Sequence, residues 1–561
     1  MTKSDLPLYT LPRAAIARYK ILVLACAFLP GLTTLPVLAA DSALAPANAL
    51  PVTASGMAAS IQTPTFDILE YVVDGNSLLS DRTIEKVMAT YLGEAKTLRD
   101  VDGARSALER AYHDAGYLTV IVSIPEQKVD SGEVALHVVE AGIDRLKVKG
   151  AEYTLPSNIK MRLPELAEGN VPNFNKVQEQ LAVLNRNADM KVTPILRAGK
   201  LPGTVEIQLD TEDQLPLHGS VEYSNRQTPN TTAQRLSASL RYDNLWQRGH
   251  SFGMTVQTAP ERTSDVRVIA GTYVMPMSDD GDALSFYAVH SRSAFASLAN
   301  APGLGLLGNS DTLGFRFTRT LGATVDYSHN FSVGLDHKDV GQTLQVLGGS
   351  STSTPITYVP LVGSYTANIF GENRSTIVDV TATSGLRGVL GNTDAAFEAK
   401  RHAASASFLS LRSALQHTEN LGHWAVYGKL ELQLASGPLV PTEQFVAGGA
   451  ESVRGYLEGE RAGDGGIRAT VELRTPPFKP GGPNSDWKMT GLAFFDAARL
   501  TTREPVYPQP AQQSLRGVGI GFRMSVPHGV AIEVDAAHAL VDGDTTRAGD
   551  NRIHARTVWG F

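Results

Sequence analysis

Cysteine is all but absent: Cys26 is the only one in 561 residues. Without a second thiol there is neither a disulfide framework nor a thiolate metal site. The stretch Val23-Leu24-Ala25-Cys26 loosely imitates a lipid-attachment box, but too few apolar residues precede it. An excess of base is absent too. Lys and Arg number 50 against 57 Asp and Glu, a formal charge of −7, which argues against a nucleic-acid partner. Beyond residue 40 no apolar run reaches the length of a membrane-spanning helix, so any crossing of a bilayer must be made by strands. Nucleotide motifs and nucleophile elbows are missing, and the thirteen histidines show no metal-ligand spacing. No catalytic residue, metal or cofactor is therefore expected.

Residues 1–39 read as a signal peptide. Lys3, Arg13, Arg18 and Lys20 precede an apolar run from Ile21 to Leu38 that ends in Val37-Leu38-Ala39. Pro30, Gly31 and Pro36 make that run a poor retained helix. Its removal takes away four bases and Asp5, leaving a mature charge near −10. Residues 40–64 are rich in Ala, Pro, Ser and Thr and are interrupted by Pro46 and Pro51; they read as a flexible leader.

From residue 65 the pattern is α+β. Phe66 to Val73 reads as extended, Asp74-Gly75-Asn76 as a turn, and Ser80 or Asp81 as the cap of a helix reaching Tyr91. Val101, Ala104, Leu108, Ala111, Tyr112 and Ala115 recur at helical spacing before Gly116, and strands Thr119–Ile124 and Glu133–Val139 follow. This β-α-α-β-β order then recurs. Arg145–Val148 is followed by a short helix near Ile159–Leu166, a helix carrying Val177, Leu181 and Leu184, and strands Lys191–Leu196 and Thr204–Leu209. The repeat predicts two small α+β domains, residues 65–141 and 142–213.

After Gln214-Leu215-Pro216 helical periodicity does not return. Leu236, Ala238, Leu240 and Tyr242 alternate with polar residues, as do Tyr327, Phe331, Val333 and Leu335, and Val530, Ile532 and Val534. Trp424, Val426, Leu430, Leu432 and Leu434 alternate with Tyr427, Lys429, Glu431 and Gln433. Short connections, such as Phe370–Asn373 and Val526–Gly529, alternate with long ones, Arg292–Ser310, Lys338–Thr354, Arg387–His402, Ala435–Gly465 and Ala497–Ser514. In the final run Ile553, Ala555, Thr557, Trp559 and Phe561 fall on one face, Arg552, His554, Arg556 and Gly560 on the other. That last strand alone fits a lipid-facing wall and a soluble sheet edge equally. The sorted loops and an even count of sixteen strands favour an antiparallel transmembrane β-barrel over residues 214–561.

A signal peptide, two β-α-α-β-β domains and such a barrel together resemble the two-partner secretion transporters, the TpsB type or hemolysin secretion/activation family. They belong to the superfamily of the outer-membrane barrel assembly factor. Val453-Arg454-Gly455-Tyr456 matches that family's VRGY motif, and it lies in the longest loop, 435–465. Gly463-Asp464-Gly465-Gly466 is similar to the family pattern at the loop's end. Phe494-Phe495-Asp496-Ala497-Ala498 resembles its FxDxG strand motif, with Ala498 in place of the final glycine.

The resemblance implies that the α+β domains are periplasmic polypeptide-transport-associated (POTRA) domains and that the loop folds back into the barrel, Arg454 pairing with Asp496. Chemistry suits this: a guanidinium offers a planar fork that a carboxylate grips at two points, and Gly455 permits a tight turn behind it. The alternative from the residues alone is that both are separately solvated lumen charges. The resemblance further implies a porin-like pore in the Gram-negative outer membrane that secretes an unfolded exoprotein, TpsA-like and β-helical, without ATP. The terminal Trp559 and Phe561 would serve the barrel assembly machinery during biogenesis, and outer-membrane lipid would surround the wall. A plug helix, common in the family, is expected to be missing or vestigial in so short a leader. The competing reading is an assembly factor that inserts other outer-membrane proteins, a type that usually carries more than two POTRA domains.

Overall fold

Backbone polar groups decide how the second half is built. In lipid every N–H and C=O must be paired within the protein, and a sheet does this only by closing on itself. The computed structural model describes residues 65–561 except 130, 279–280, 294–295, 298–304, 307–308, 325, 342, 345–351 and 354; the expected signal peptide and leader lie outside these residues. Sixteen antiparallel strands close into a barrel. They are β1 Leu217–Ser224, β2 Arg235–Leu245, β3 His250–Thr258, β4 Val266–Pro276, β5 Ala283–Ser293, β6 Asn309–Ala323, β7 Tyr327–Gly341 and β8 Pro360–Phe370. Then come β9 Arg374–Gly385, β10 Leu409–Leu421, β11 Trp424–Ala435, β12 Gly465–Arg474, β13 Lys488–Thr501, β14 Gln512–Val526, β15 Val530–Ala539 and β16 Asn551–Gly560. A short segment, Ile356–Tyr358, precedes β8 and pairs with the end of β7.

The ring is sealed by β16 against β1, from Arg556↔Ser224 to Gly560↔Ser220. Beyond these pairs Asn225 continues the seam with its side chain, donating to the Ile553 carbonyl at 2.7 Å and accepting from the Ala555 N–H at 2.9 Å. At the other end Gly219 and Phe561 exchange backbone hydrogen bonds, both 3.0 Å.

Each strand sorts its residues by period two. On β6 Leu313, Phe315 and Phe317 are exposed while Ser310 and Thr312 are buried; on β10 Leu409, Leu411 and Leu415 are exposed around a buried Ser410. On β16 Ile553, Trp559 and Phe561 point out, the last two rings 5.2 Å apart, and His554 is buried inside. The inner face carries cross-strand ion pairs, Arg316–Asp336 at 2.6 Å, Arg523–Asp535 at 2.7 Å and Arg556–Glu222 at 2.9 Å. An outside that is apolar and an inside that is charged is the reverse of a soluble protein, and lipid is the solvent that makes it stable.

The connections depart from strict alternation of short and long. Residues 475–487, on the side of the short turns, form a long hairpin in which Phe478 bridges to Met489, because Pro476, Pro477, Pro480 and Pro483 prevent a tight turn. On the opposite side residues 259–265 are brief. The expected loop Ala497–Ser514 shrinks to residues 502–511, since the strand pairing of β13 and β14 runs out to Thr501↔Gln512.

The first α+β module contains helices Asp81–Met88 and Leu98–Asp114 and a three-stranded sheet with Glu133–Glu140 central, Glu70–Asp74 parallel and Val120–Ser123 antiparallel to it. Ser80 caps the first helix, and Thr97 with Asp100 forms a capping box on the second. Val101, Ala104, Leu108 and Tyr112 are the buried stripe of that helix. The extended run from Phe66 is two strands, and the first, Phe66–Ile68, pairs with Gly93–Lys96, a strand that its sequence hides: Gly-Glu-Ala-Lys has neither alternation nor β-branching. The second module orders its sheet Gly142–Lys149, Thr204–Asp213, Met190–Ala198, with helices Pro156–Met161 and Phe174–Leu184. By compactness the described chain falls into two units, and residues 148–162 and 180–193 of this module group with the barrel.

The lipid-facing reading is testable at Ile520, mid-way along β14 and 66 % exposed. Ile520→Arg should destabilise the inserted barrel by about 2–4 kcal/mol, the range for a base at mid-membrane. The measure is the urea midpoint of folding into vesicles; an unchanged midpoint would place that face in water.

Candidate functional site

The longest described connection, residues 436–464 between β11 and β12, lies against the inner faces of the strands. Val453, Arg454, Tyr456 and Leu457 at its tip are all buried. The Arg454 Nε donates to Asp496 Oδ2 at 2.7 Å and Nη2 donates to Oδ1 at 2.9 Å, a two-point grip on a carboxylate of β13. The Arg454 main-chain N–H donates to Oδ2 as well, at 3.1 Å, so the same carboxylate holds the loop's backbone. Asp496 is fully buried.

Arg454 has further partners. Its Nη1 donates to Glu472 Oε1 of β12 at 2.8 Å and stands 3.7 Å from Asp535 of β15, and its guanidinium lies 3.4 Å above the Phe494 ring. Glu472 is shared with Arg474 at 2.6 Å, and Asp535 with Arg523 at 2.7 Å. Three guanidinium groups thus meet three carboxylates, and no charge in the cluster is left uncompensated. Phe495, between Phe494 and Asp496, points outward into the apolar face.

The neighbours of Arg454 fasten the tip to the closing side of the ring. Gly455 has φ +100° and donates its N–H to His554 Nε2 of β16 at 3.1 Å. A side chain there would be strained and would press on the backbone of His538 and Ala539. The Tyr456 hydroxyl donates to the Val541 carbonyl at 2.7 Å and lies 2.9 Å from the Arg516 carbonyl. Val453 and Tyr456 join Leu500, Leu515 and Ala539 in an apolar cluster that also contains Ala498. At the position where the resemblance calls for glycine, the alanine methyl is therefore buried among loop side chains that leave room for it.

At the loop's end Asp464, fully buried, accepts from Arg401 Nη2 at 2.7 Å and also from its Nη1, from the Leu439 N–H at 2.9 Å and from the Arg503 N–H at 2.7 Å. It joins three connections, 386–408, 436–464 and 502–511. Gly463 ends a short strand, Arg461–Gly463, paired with Phe445–Ala447, and Gly466, the second residue of β12, lies opposite Gln433. Trp559 and Phe561 stand apart from this site, on the outer face of β16.

Several participants were not singled out from sequence. Glu472 and Asp535 are ordinary inward acids of their strands, and Arg401 and Arg226, which holds Glu451 at 2.6 Å, come from other connections. Gly517 and Gly519 of β14 did carry a signal, alternate glycines inside a strand. A Cβ on Gly517 would sit 2.0 Å from the Arg454 carbonyl oxygen; one on Gly519 would sit 2.2 Å from the Ala536 carbonyl oxygen of β15 and 2.5 Å from the Phe494 ring. These positions are empty so that the loop tip and the ring beneath its guanidinium can lie against the wall.

The family description "haemolysin secretion/activation protein ShlB/FhaC/HecB" matches residues 203–524. The chain belongs to that family. A ShlB-type POTRA domain matches residues 66–141. An outer membrane transporter CdiB of Dickeya dadantii is 23 % identical over 431 residues, covering 74 % of this chain and 73 % of the relative. A CdiB of Escherichia coli is 24 % identical over 187 residues, 33 % of this chain and 31 % of the relative. In fold, the chain is similar to the CdiB structure from Escherichia coli, with TM-score 0.57 at 18 % identity over 91 % of this chain and 94 % of that one. It is also similar to BamA from Haemophilus ducreyi lacking POTRA domains 1–3, with TM-score 0.53 at 15 % identity over 88 % and 100 %. This is an outer-membrane transporter of the two-partner secretion family, with its POTRA domain in the periplasm.

The ion cluster and the glycine clearance make separable predictions. Arg454→Ala should release the tip, at a cost of about 1–3 kcal/mol in loop binding, with the barrel still assembled. Asp496→Ala should act similarly, and the double variant should be little worse than either. Gly517→Val, which leaves every charge in place, should expel the tip by steric clash. The readout is protease cleavage within residues 436–464 of the embedded protein. Additive losses in the double variant, or a loop still protected in Gly517→Val, would contradict this geometry.

Proposed function

We propose that this transporter captures an unfolded exoprotein in the periplasm through two POTRA domains, residues 65–141 and 142–213, and passes it through the barrel of residues 214–561 to the cell surface. The observation that carries this reading is the way the loop 436–464 is held. It occupies the barrel's inner face by side-chain contacts to six or more separate strands and loops, not by a continuous backbone ladder. Contacts of that kind can be exchanged one by one for contacts with a passing chain without opening the wall. The charged inner face suits an extended polypeptide, whose peptide groups need polar partners along the whole path.

Residues Val453, Arg454, Gly455 and Tyr456 are the loop's anchor, with Phe494 and Asp496 as the wall that receives it, and Gly463, Asp464 and Gly466 as its hinge end. Trp559 and Phe561 serve recognition by the barrel assembly machinery. The cargo is of TpsA type, a β-helical hemolysin- or adhesin-like protein, whose folding outside biases movement outward. The BamA likeness is one of fold and carries no argument for an assembly role.

In the first module Glu70–Asp74 and Val120–Ser123 are edge strands of their three-stranded sheet. Edge N–H and C=O groups can pair with any extended client, which suits a cargo of unfixed sequence. Full-length protein in nanodiscs should bind an unfolded N-terminal secretion domain and protect these edges from amide exchange. In cells, Arg454→Ala should cut secretion of the partner exoprotein to about a tenth or less, the scale of losing one charge-assisted contact in a two-state loop. Normal secretion by that variant would remove the anchor from the mechanism, and protection confined to the barrel would remove the edges.

A further inference from the structure

On one side of the barrel the outward face stops being apolar before the strands end. The end in question carries the long connections and is the extracellular one. There β4 and β5 pair Arg267 directly with Arg292. Both side chains point outward, since Val266, Val268 and Ser291 beside them are buried inside. Like charges directly opposite across two strands repel, and among the described residues neither arginine meets a carboxylate. Such a pair is stable where an anion lies between its members.

Next to it stand His290, 2.6 Å from Asp311, and Asp339, which is the register partner of Asp311. On β2, β10 and β11 the wall near this end stays apolar, with Leu236, Leu411 and Leu434, while exposed bases recur at Arg499 on β13 and Arg516 on β14. Among the described barrel pairs, only Arg267 and Arg292 set two arginines directly opposite each other.

Below this pair the wall is indented. Gly271 and Ala288 are register partners, and with Ile269 and Leu313 they line a groove of about 450 Å³ whose upper rim is His290 and Asp311. Gly271 lies four residue steps from Arg267, about 13 Å along a strand, the step from a headgroup into its acyl region. A mainly apolar indentation rimmed by His290, Asp311 and Asp339, with the arginine pair one outward residue above that rim, fits one molecule that is anionic at one end and oily at the other.

We propose that β4–β7 form a binding site for a phosphorylated glycolipid of the outer leaflet, of the lipid A type. Arg267 and Arg292 hold a phosphate, and an acyl chain lies in the Gly271–Ala288 groove. Asp311 and Asp339 face the same headgroup layer, where a divalent cation bridges carboxylate and phosphate.

The test uses the full-length protein, extracted in mild detergent and examined by native mass spectrometry with magnesium and added lipid A. Wild type should retain the lipid, and Arg267→Ala/Arg292→Ala should lose it about tenfold or more, as expected for two charge-assisted contacts. Ala288→Phe, which fills the groove, should weaken retention, and Arg319→Ala, an outward base lower on β6, should not. Equal retention by the double arginine variant would overturn the proposal. Folding of each variant is checked by migration before and after boiling. Should the double variant fail to assemble, wild type still decides: it must prefer bisphosphorylated over dephosphorylated lipid A, and equal binding of the two refutes the site.

Discussion

The demand that no backbone polar group face lipid unpaired governs everything else in the barrel. It forces a closed ring, and closure forces every strand to put successive residues alternately into lipid and lumen. The weakest point of such a ring is where the chain's two ends must find each other. Here five register pairs between β1 and β16 are extended by the Asn225 side chain, by Glu222 with Arg556, and by the backbone exchange of Gly219 and Phe561. From the inside, Gly455 reaches the same last strand through His554, so loop and seam share a strand.

The lumen inherits whatever lipid rejects, and the loop is recognised by those charges. Arg454 is buried with three carboxylates in range, yet each of the two beyond Asp496 has its own arginine, so the cluster is neutral with the tip in place. Withdrawing the tip uncovers Asp496, which water in an emptied lumen would solvate. The loop is therefore held firmly enough to have one position while the cost of leaving is a few contacts, not the fold. Gly517 and Gly519 set the geometry that makes this possible: the wall is thinned where the tip's backbone and the Phe494 ring need space. A side chain at Gly517 would meet the tip's backbone first, whereas one at Gly519 would also press on the Ala536 carbonyl of β15.

Much of this was open to inspection in the sequence, for one physical reason. Lipid on one face and water on the other impose a period of two that survives in the letters, so the strands, their even number and the sorting of most connections could be read directly. The helix cap at Ser80 and the stripe Val101, Ala104, Leu108, Tyr112 are local chemistry and were equally readable. What stayed hidden was set by contacts distant in the chain. The strand Gly93–Lys96 exists because Phe66–Ile68 offers it an edge, and its own residues do not ask for one. That Arg454 meets Glu472 and Asp535 besides Asp496, that Arg401 closes on Asp464, and that two glycines of β14 make room for the tip are consequences of register around the ring. A one-residue slip between any two strands would turn those acids outward, and only the closed tertiary structure decides that register.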